Sequence, residues 1–194
     1  MRPANVLVVN DDSVVRPQLK TLLTELGYSV IGEADNGGQA LSLARSLKPD
    51  VVLVNLAMES SLSGSDVAKT LSAERVGAVI CFSTSSETDI LGALETGGAM
   101  GFLSQPFRAA DIVPTVFLAM ARLTEIKTLE AEIKELNERM EARKLVGRAK
   151  AILMEKHGLS EREAFYRIQS QSTALNKQSH EIARAIITAS ELAG

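Results

Sequence analysis

A chain of 194 residues with 45% apolar but only 4% aromatic side chains builds its core from aliphatic residues, and its length suits one large or two small domains. Its single cysteine, Cys81, excludes a disulfide framework, and no apolar stretch approaches the roughly 20 residues of a membrane span. Net charge is −3, unevenly placed: residues 1–142 carry 12 Lys/Arg against 19 Asp/Glu, and residues 143–194 carry 9 against 5. An acidic body with a modestly basic tail puts any contact with nucleic acid at the C-terminal end. Residues 1–5 show no signal-peptide pattern, so the expected location is the cytoplasm.

Taken in order, residues 5–9 form a short apolar run, expected as a buried strand. Leu19, Leu22, Leu23 and Leu26 recur at helical spacing until Gly27 closes that helix. Strands follow at 28–32, 51–56, 78–82 and 101–103, with helices marked by Ala40 to Ala44, Val67 to Leu71 and Ile90 to Leu94. Cys81 sits inside the fourth apolar run and reads as a core residue. Strands apolar on both faces that alternate with helices predict a five-stranded parallel sheet covered on both sides, an α/β doubly wound fold. In such sheets functional groups gather at the C-terminal strand ends. Those ends carry Asn10-Asp11-Asp12, Asn55, Ser83 and Gln105.

Residues 108–146 contain no glycine, and their one proline, Pro114, falls in the opening turns, so they predict one continuous helix. Ile126, Leu129, Ile133, Leu136 and Met140 step by 3, 4, 3 and 4 residues, the seam of a coiled coil with Glu130, Glu132, Lys134, Glu135 and Arg139 as charged flanks. At 1.5 Å per residue this helix spans roughly 55 Å, which predicts a spacer and dimerisation rod. An amphipathic helix folded back on its own domain is the alternative.

Beyond the rod, Val146, Ala149, Ile152 and Leu153 mark one helical face, and Gly158 reads as a stop. Ser160 to Glu163 forms a capping box for a helix whose apolar face is Ala164, Phe165 and Ile168. Residues 172–179 are polar and predict a turn, and Ile182, Ala183, Ile186, Ile187 and Leu192 supply a last helix. The expected divisions are 1–121, 122–142 and 143–194, the last a small three-helix all-α domain.

The strand ends, with Glu33-Ala34-Asp35-Asn36-Gly37, Lys48-Pro49-Asp50 and the run Gly98 to Leu103, resemble the flavodoxin-like receiver domain of two-component response regulators over roughly residues 4–121. The resemblance implies a magnesium-binding acidic pair at Asn10 and Asp11, a phosphoacceptor at Asn55, a hydroxyl at Ser83 and a lysine position at Gln105. Three of those five positions have lost their charge. An amide delocalises its lone pair and is a poor nucleophile, Asp11 keeps only Asp12 as a helper for a cation, and Gln105 cannot neutralise a phosphate. The expectation is a pseudo-receiver, with phosphorylation at Ser83, Ser63 or Asp12 as the alternative.

Arg148 to Met154, Gly158 to Glu161, Ala164-Phe165 and Ile182-Ala183 resemble the ANTAR domain, the RNA-binding output module of AmiR and NasR antitermination regulators. That resemblance implies binding of paired hairpins in nascent leader RNA. No nucleophile–base constellation or metal-ligand spacing stands out in the sequence, so neither enzymatic activity nor a cofactor is expected. Candidate RNA contacts are Arg148, Lys150, Lys156, His157, Ser172, Asn176, Lys177, Gln178, His180 and Arg184, with the 176–178 cluster foremost. Tyr166 is assigned to packing, with base stacking as the alternative. Expected partners are RNA, a second copy through the coiled coil and a regulatory sensor protein. A protein-interaction adaptor without RNA binding is the competing reading.

Overall fold

The apolar strand runs decide the architecture. In the computed structural model β1 (Asn5–Val9), β2 (Ser29–Ala34), β3 (Val51–Asn55), β4 (Ala78–Ser83) and β5 (Gly101–Ser104) make one parallel sheet in the order β2-β1-β3-β4-β5. The helices are α1 (Val15–Glu25), α2 (Gly37–Leu47), α3 (Gly64–Glu74), α4 (Ala109–His157), α5 (Glu161–Leu175) and α6 (Ser179–Leu192). The structure describes residues 3–58, 62–83 and 98–192, so the helix expected at 90–94 lies outside the described residues.

Successive strand residues face opposite sides, and both sides are covered. Val6 and Val8 pack with Leu19 and Leu23 of α1 and with Ile112 and Val116 of α4. Leu7 and Val9 pack with Ala40 and Ala44 of α2 and with Val67 and Leu71 of α3. The strand and helix types stand where the sequence reading places them, although β2 begins and ends later than 28–32. Gly27 and Gly158 take positive φ angles of 84° and 63° at their helix ends.

The chain forms two compact units, Met1–Thr128 and Leu129–Gly194. The second has its own core of Ala149, Leu153, Ala164, Ile168, Ile182, Ala183 and Ile187. Its opening helix is not separate. α4 runs unbroken through residue 146 to His157, because one interior glycine, Gly147, costs about 1 kcal/mol and does not outweigh burial of Ala149 and Leu153 just beyond it.

Two positions show how tightly the first core closes. Gly64 opens α3 directly against the end of β3, and an added Cβ there would collide with the Asn55 carbonyl oxygen and lie 2.8 Å from the Leu56 Cα. Cys81 is fully buried, and burial pushes its thiol up to about 12. Gly64→Ala should therefore cost about 3 kcal/mol in urea unfolding, since backbone on both sides must shift. Native protein at pH 8 should leave Cys81 unlabelled by a thiol reagent, and denaturant should restore labelling.

Candidate functional site

The strand order reverses direction between β1 and β3, so a crevice opens at their C-terminal ends. Asn10 follows β1 and Asn55 ends β3. Asn55 Nδ2 donates to Asn10 Oδ1 at 2.8 Å and to Asp11 Oδ1 at 3.4 Å, while Asn55 Oδ1 accepts from the Ala57 amide at 3.0 Å. Asn10 Oδ1 also accepts from the Asp12 amide at 3.3 Å. These donors fix which way the Asn10 amide points, because a flipped side chain would set its NH2 against two N–H groups. The cost is Asn10 Nδ2, buried without a hydrogen-bond partner among the described residues. Two carboxylates this close would repel unless a cation or a shared proton intervened. Two amides close on each other with neither.

Asp12 faces the cleft but serves the helix behind it. Its Oδ1 accepts from the Val14 amide at 2.7 Å and the Val15 amide at 3.0 Å, capping α1. The Val15 and Val14 amides, and then Arg16, hold the Asp12 carboxyl below the usual carboxylate range. Arg16 Nη1 donates to the Asn10 carbonyl at 2.6 Å, and Arg16 Nε sits 3.6 Å from Glu33 Oε2. Gln105 lines the same cleft of about 550 Å³, and Ser83 is buried at the end of β4 without lining it. Phe102 is half-buried against the α2/α3 side of the core.

A magnesium ion takes six oxygens, preferably with anionic ones among them. Asp11 supplies one carboxylate here, while Asp12 Oδ1, Asn10 Oδ1 and Asn55 Oδ1 already accept from N–H groups. Among the described residues no three His, Cys, Asp or Glu side chains group closely enough to hold a metal. The residues present do not fit the ion.

In the second unit the seam residues Leu129, Ile133, Leu136 and Met140 are 50–58% exposed. Flanking ion pairs join Glu135 to Arg139 at 2.6 Å and Glu141 to Lys144 at 2.7 Å. Ile126, the remaining seam position, is half-buried in the preceding unit.

The candidate RNA contacts do not gather into one patch. Lys150, Gln178 and His180 share a groove, while Lys156 and His157 line another with Arg167 and Gln171. Arg148 pairs with Glu191 at 2.8 Å and Lys150 with Glu161 at 2.6 Å. Lys156 Nζ donates to the Ser190 carbonyl at 3.1 Å. Asn176 ends α5 at φ 51°, a left-handed position asparagine tolerates, and Asn176, Lys177 and Gln178 form the exposed turn before α6. The Ser172 hydroxyl is committed to that turn, donating to the Lys177 carbonyl. Arg184 is exposed on α6.

Two aromatic assignments change. Ala164 and Ile168 are buried, but Phe165 is 47% exposed, because α5 turns it about 100° away from Ala164. Tyr166 is 57% exposed rather than packed, with the Arg162 guanidinium 5.6 Å from its ring centre. Arg143, Gly147 and Phe165 border the Lys150 groove and were not among the sequence candidates. An interior glycine in a long helix was the one available signal.

The amide pair sets a measurable expectation. Millimolar magnesium should leave the unfolding midpoint of the natural chain unchanged. Asn10→Asp with Asn55→Asp should be less stable without the ion and recover about 1 kcal/mol with it, read by thermal unfolding.

The family model for the response regulator receiver domain matches residues 6–117, and that for the ANTAR domain matches residues 134–187. The transcriptional regulatory protein PdtaR of Mycobacterium tuberculosis is 38% identical over 167 residues, covering 86% of this chain and 81% of its own. Chemotaxis protein CheY of Thermotoga maritima is 32% identical over 110 residues, covering 56% of this chain and 90% of its own. Among solved structures, the signal receiver domain of a modulated diguanylate cyclase from Desulfovibrio desulfuricans aligns with a TM-score of 0.59 at 27% identity, over 63% of this chain and 97% of that one. With a receiver sheet, a helical second unit and both family matches in sequence order, the chain belongs to the response regulators that join a receiver domain to an ANTAR domain.

Proposed function

We propose that this chain is a cytoplasmic RNA-binding antiterminator whose ANTAR domain holds paired hairpins of a nascent leader transcript. The observation that carries this reading is the ANTAR match over residues 134–187, which takes in every candidate contact from Arg148 to Arg184. The similarity to a transcriptional regulatory protein over 86% of the chain supports it. Working divisions are 1–121 for the receiver, 122–142 for the dimer helix and 143–194 for the RNA-binding part.

The receiver acts as a docking platform and not as an aspartyl-phosphate switch. Asn55 is an uncharged amide whose nitrogen lone pair is delocalised, and it is held by Asn10 and the Ala57 amide, so it lacks the anionic oxygen that attacks phosphorus. Control then falls to dimerisation or to a sensor protein that sequesters the chain. The exposed seam from Leu129 to Met140 supports a second copy as its cover, because four large apolar side chains in one row are costly to leave in water. Two RNA-binding units on one dimer would hold two loops with a gain in effective concentration.

The ion pairs of Arg148 and Lys150 with acidic neighbours favour a second reading, an adaptor without RNA binding. An electrophoretic shift with a two-hairpin leader RNA separates the two. The antiterminator shifts it and loses the shift on charge reversal at Lys150 and Lys177, while an adaptor is indifferent to both.

Treatment with a small-molecule phosphodonor and magnesium should add no phosphate to the pocket by intact mass. Ile133→Gln with Leu136→Gln should give a monomer by sedimentation and abolish RNA binding together. Binding that persisted in the monomer would sink the coupling of dimer and RNA.

A further inference from the structure

We propose that the groove around Gly147 seats one unstacked nucleobase of the bound RNA, stacked on Phe165 and held by the cations beside it. This rests on the RNA-binding reading and assigns the place and manner of contact within it. The groove encloses about 380 Å³ in the second unit and is bordered by Arg143, Gly147 and Lys150 of α4, Phe165 of α5, and Gln178 and His180 where α6 begins.

Three independent features point to a ligand there. The glycine is one of them. Gly147 lies inside α4, where glycine is the poorest helix former after proline. An added Cβ would meet no atom within 4 Å, so nothing inside the chain requires the missing side chain. A glycine that no internal contact explains, on the wall of a groove, lets an outside group approach the helix backbone closely.

The second feature is the ring. Phe165 is 47% exposed although Ala164 and Ile168 of the same helix are buried, and its ring meets Tyr166 edge-on at 6.2 Å. An aromatic ring open to a groove is a stacking platform for any base. The third is charge and hydrogen-bonding capacity. No acidic side chain borders the groove among the described residues, whereas Arg143, Lys150 and His180 do. Arg143 makes no ion pair among the described residues, and Lys150 is balanced only by Glu161. The Gln178 amide and His180 imidazole have no side-chain partners among the described residues, which leaves a donor and acceptor set for a base edge and a cation for the adjoining phosphate.

The test uses the full chain. RNAs are selected on it from a pool of tandem hairpins with randomised loops, and 2-aminopurine is then placed at each loop position of the selected RNA. One position should lose fluorescence on binding. Phe165→Leu should restore that fluorescence and weaken binding about tenfold, while Phe165→Trp keeps both. Gly147→Ala removes no contact and should fold with at least natural helicity, yet weaken RNA binding with the association state unchanged.

If the selected RNA binds both Phe165→Leu and Gly147→Ala as tightly as the natural chain, with quenching intact, the base seat is overturned and the RNA-binding reading stands. If Gly147→Ala changes the association state and leaves RNA affinity alone, the groove belongs to a protein interface and the proposal fails. If no RNA is selected by the folded natural chain, the parent reading fails and the base seat with it.

Discussion

One helix has to satisfy three surroundings, and the rest of the structure depends on that obligation. Near its start, Ile112, Val116, Ala119 and Leu123 of α4 close one face of the parallel sheet. Near its end, Ala149 and Leu153 form the core of a second unit with α5 and α6. Between them, Leu129 to Met140 present an apolar row to solvent. A substitution in α4 therefore has different consequences according to which third it strikes. The helix can hold all three roles because its apolar positions keep a helical period while the burying partner changes along its length.

The crevice at the ends of β1 and β3 illustrates how charge is removed from a site without collapsing it. Replacing one carboxylate by an amide would leave the other as a buried negative charge with no cation beside it. With amides at both 10 and 55, the NH2 of one meets the oxygen of the other at 2.8 Å. The pocket is then satisfied without a cation, at the expense of one buried, unpartnered NH2 on Asn10. Asp12 is diverted as well, since its carboxylate caps α1 and its acidity is tuned by the amides it accepts from.

Much of the fold was legible because strand and helix periods are local. The runs around Val6 to Val9 and Val51 to Val54 announce strands buried on both faces, and Gly27 and Gly158 announce helix ends. Legibility failed where two weak local signals competed with burial at a distance. The glycine-free stretch ends at residue 146, before Gly147, but burial of Ala149 and Leu153 carries the helix on to His157. Phe165 looked like core because Ala164 and Ile168 are core, yet the groove beside Gly147 leaves it open.

By itself the sequence determined the α/β sheet, the long helix, the three lost charges at positions 10, 55 and 105, and the family resemblance, because each rests on residue type and spacing along the chain. Only the tertiary structure decided that Asn10 and Asn55 bond to each other, that Asp12 belongs to α1 and that Ser83 stays out of the cleft. It also decided that Arg143, Gly147 and Phe165 border one groove with Gln178 and His180. Those facts depend on which residues distant in sequence meet and in what orientation, and hydrogen-bond direction and groove shape exist only once the helices and strands have packed.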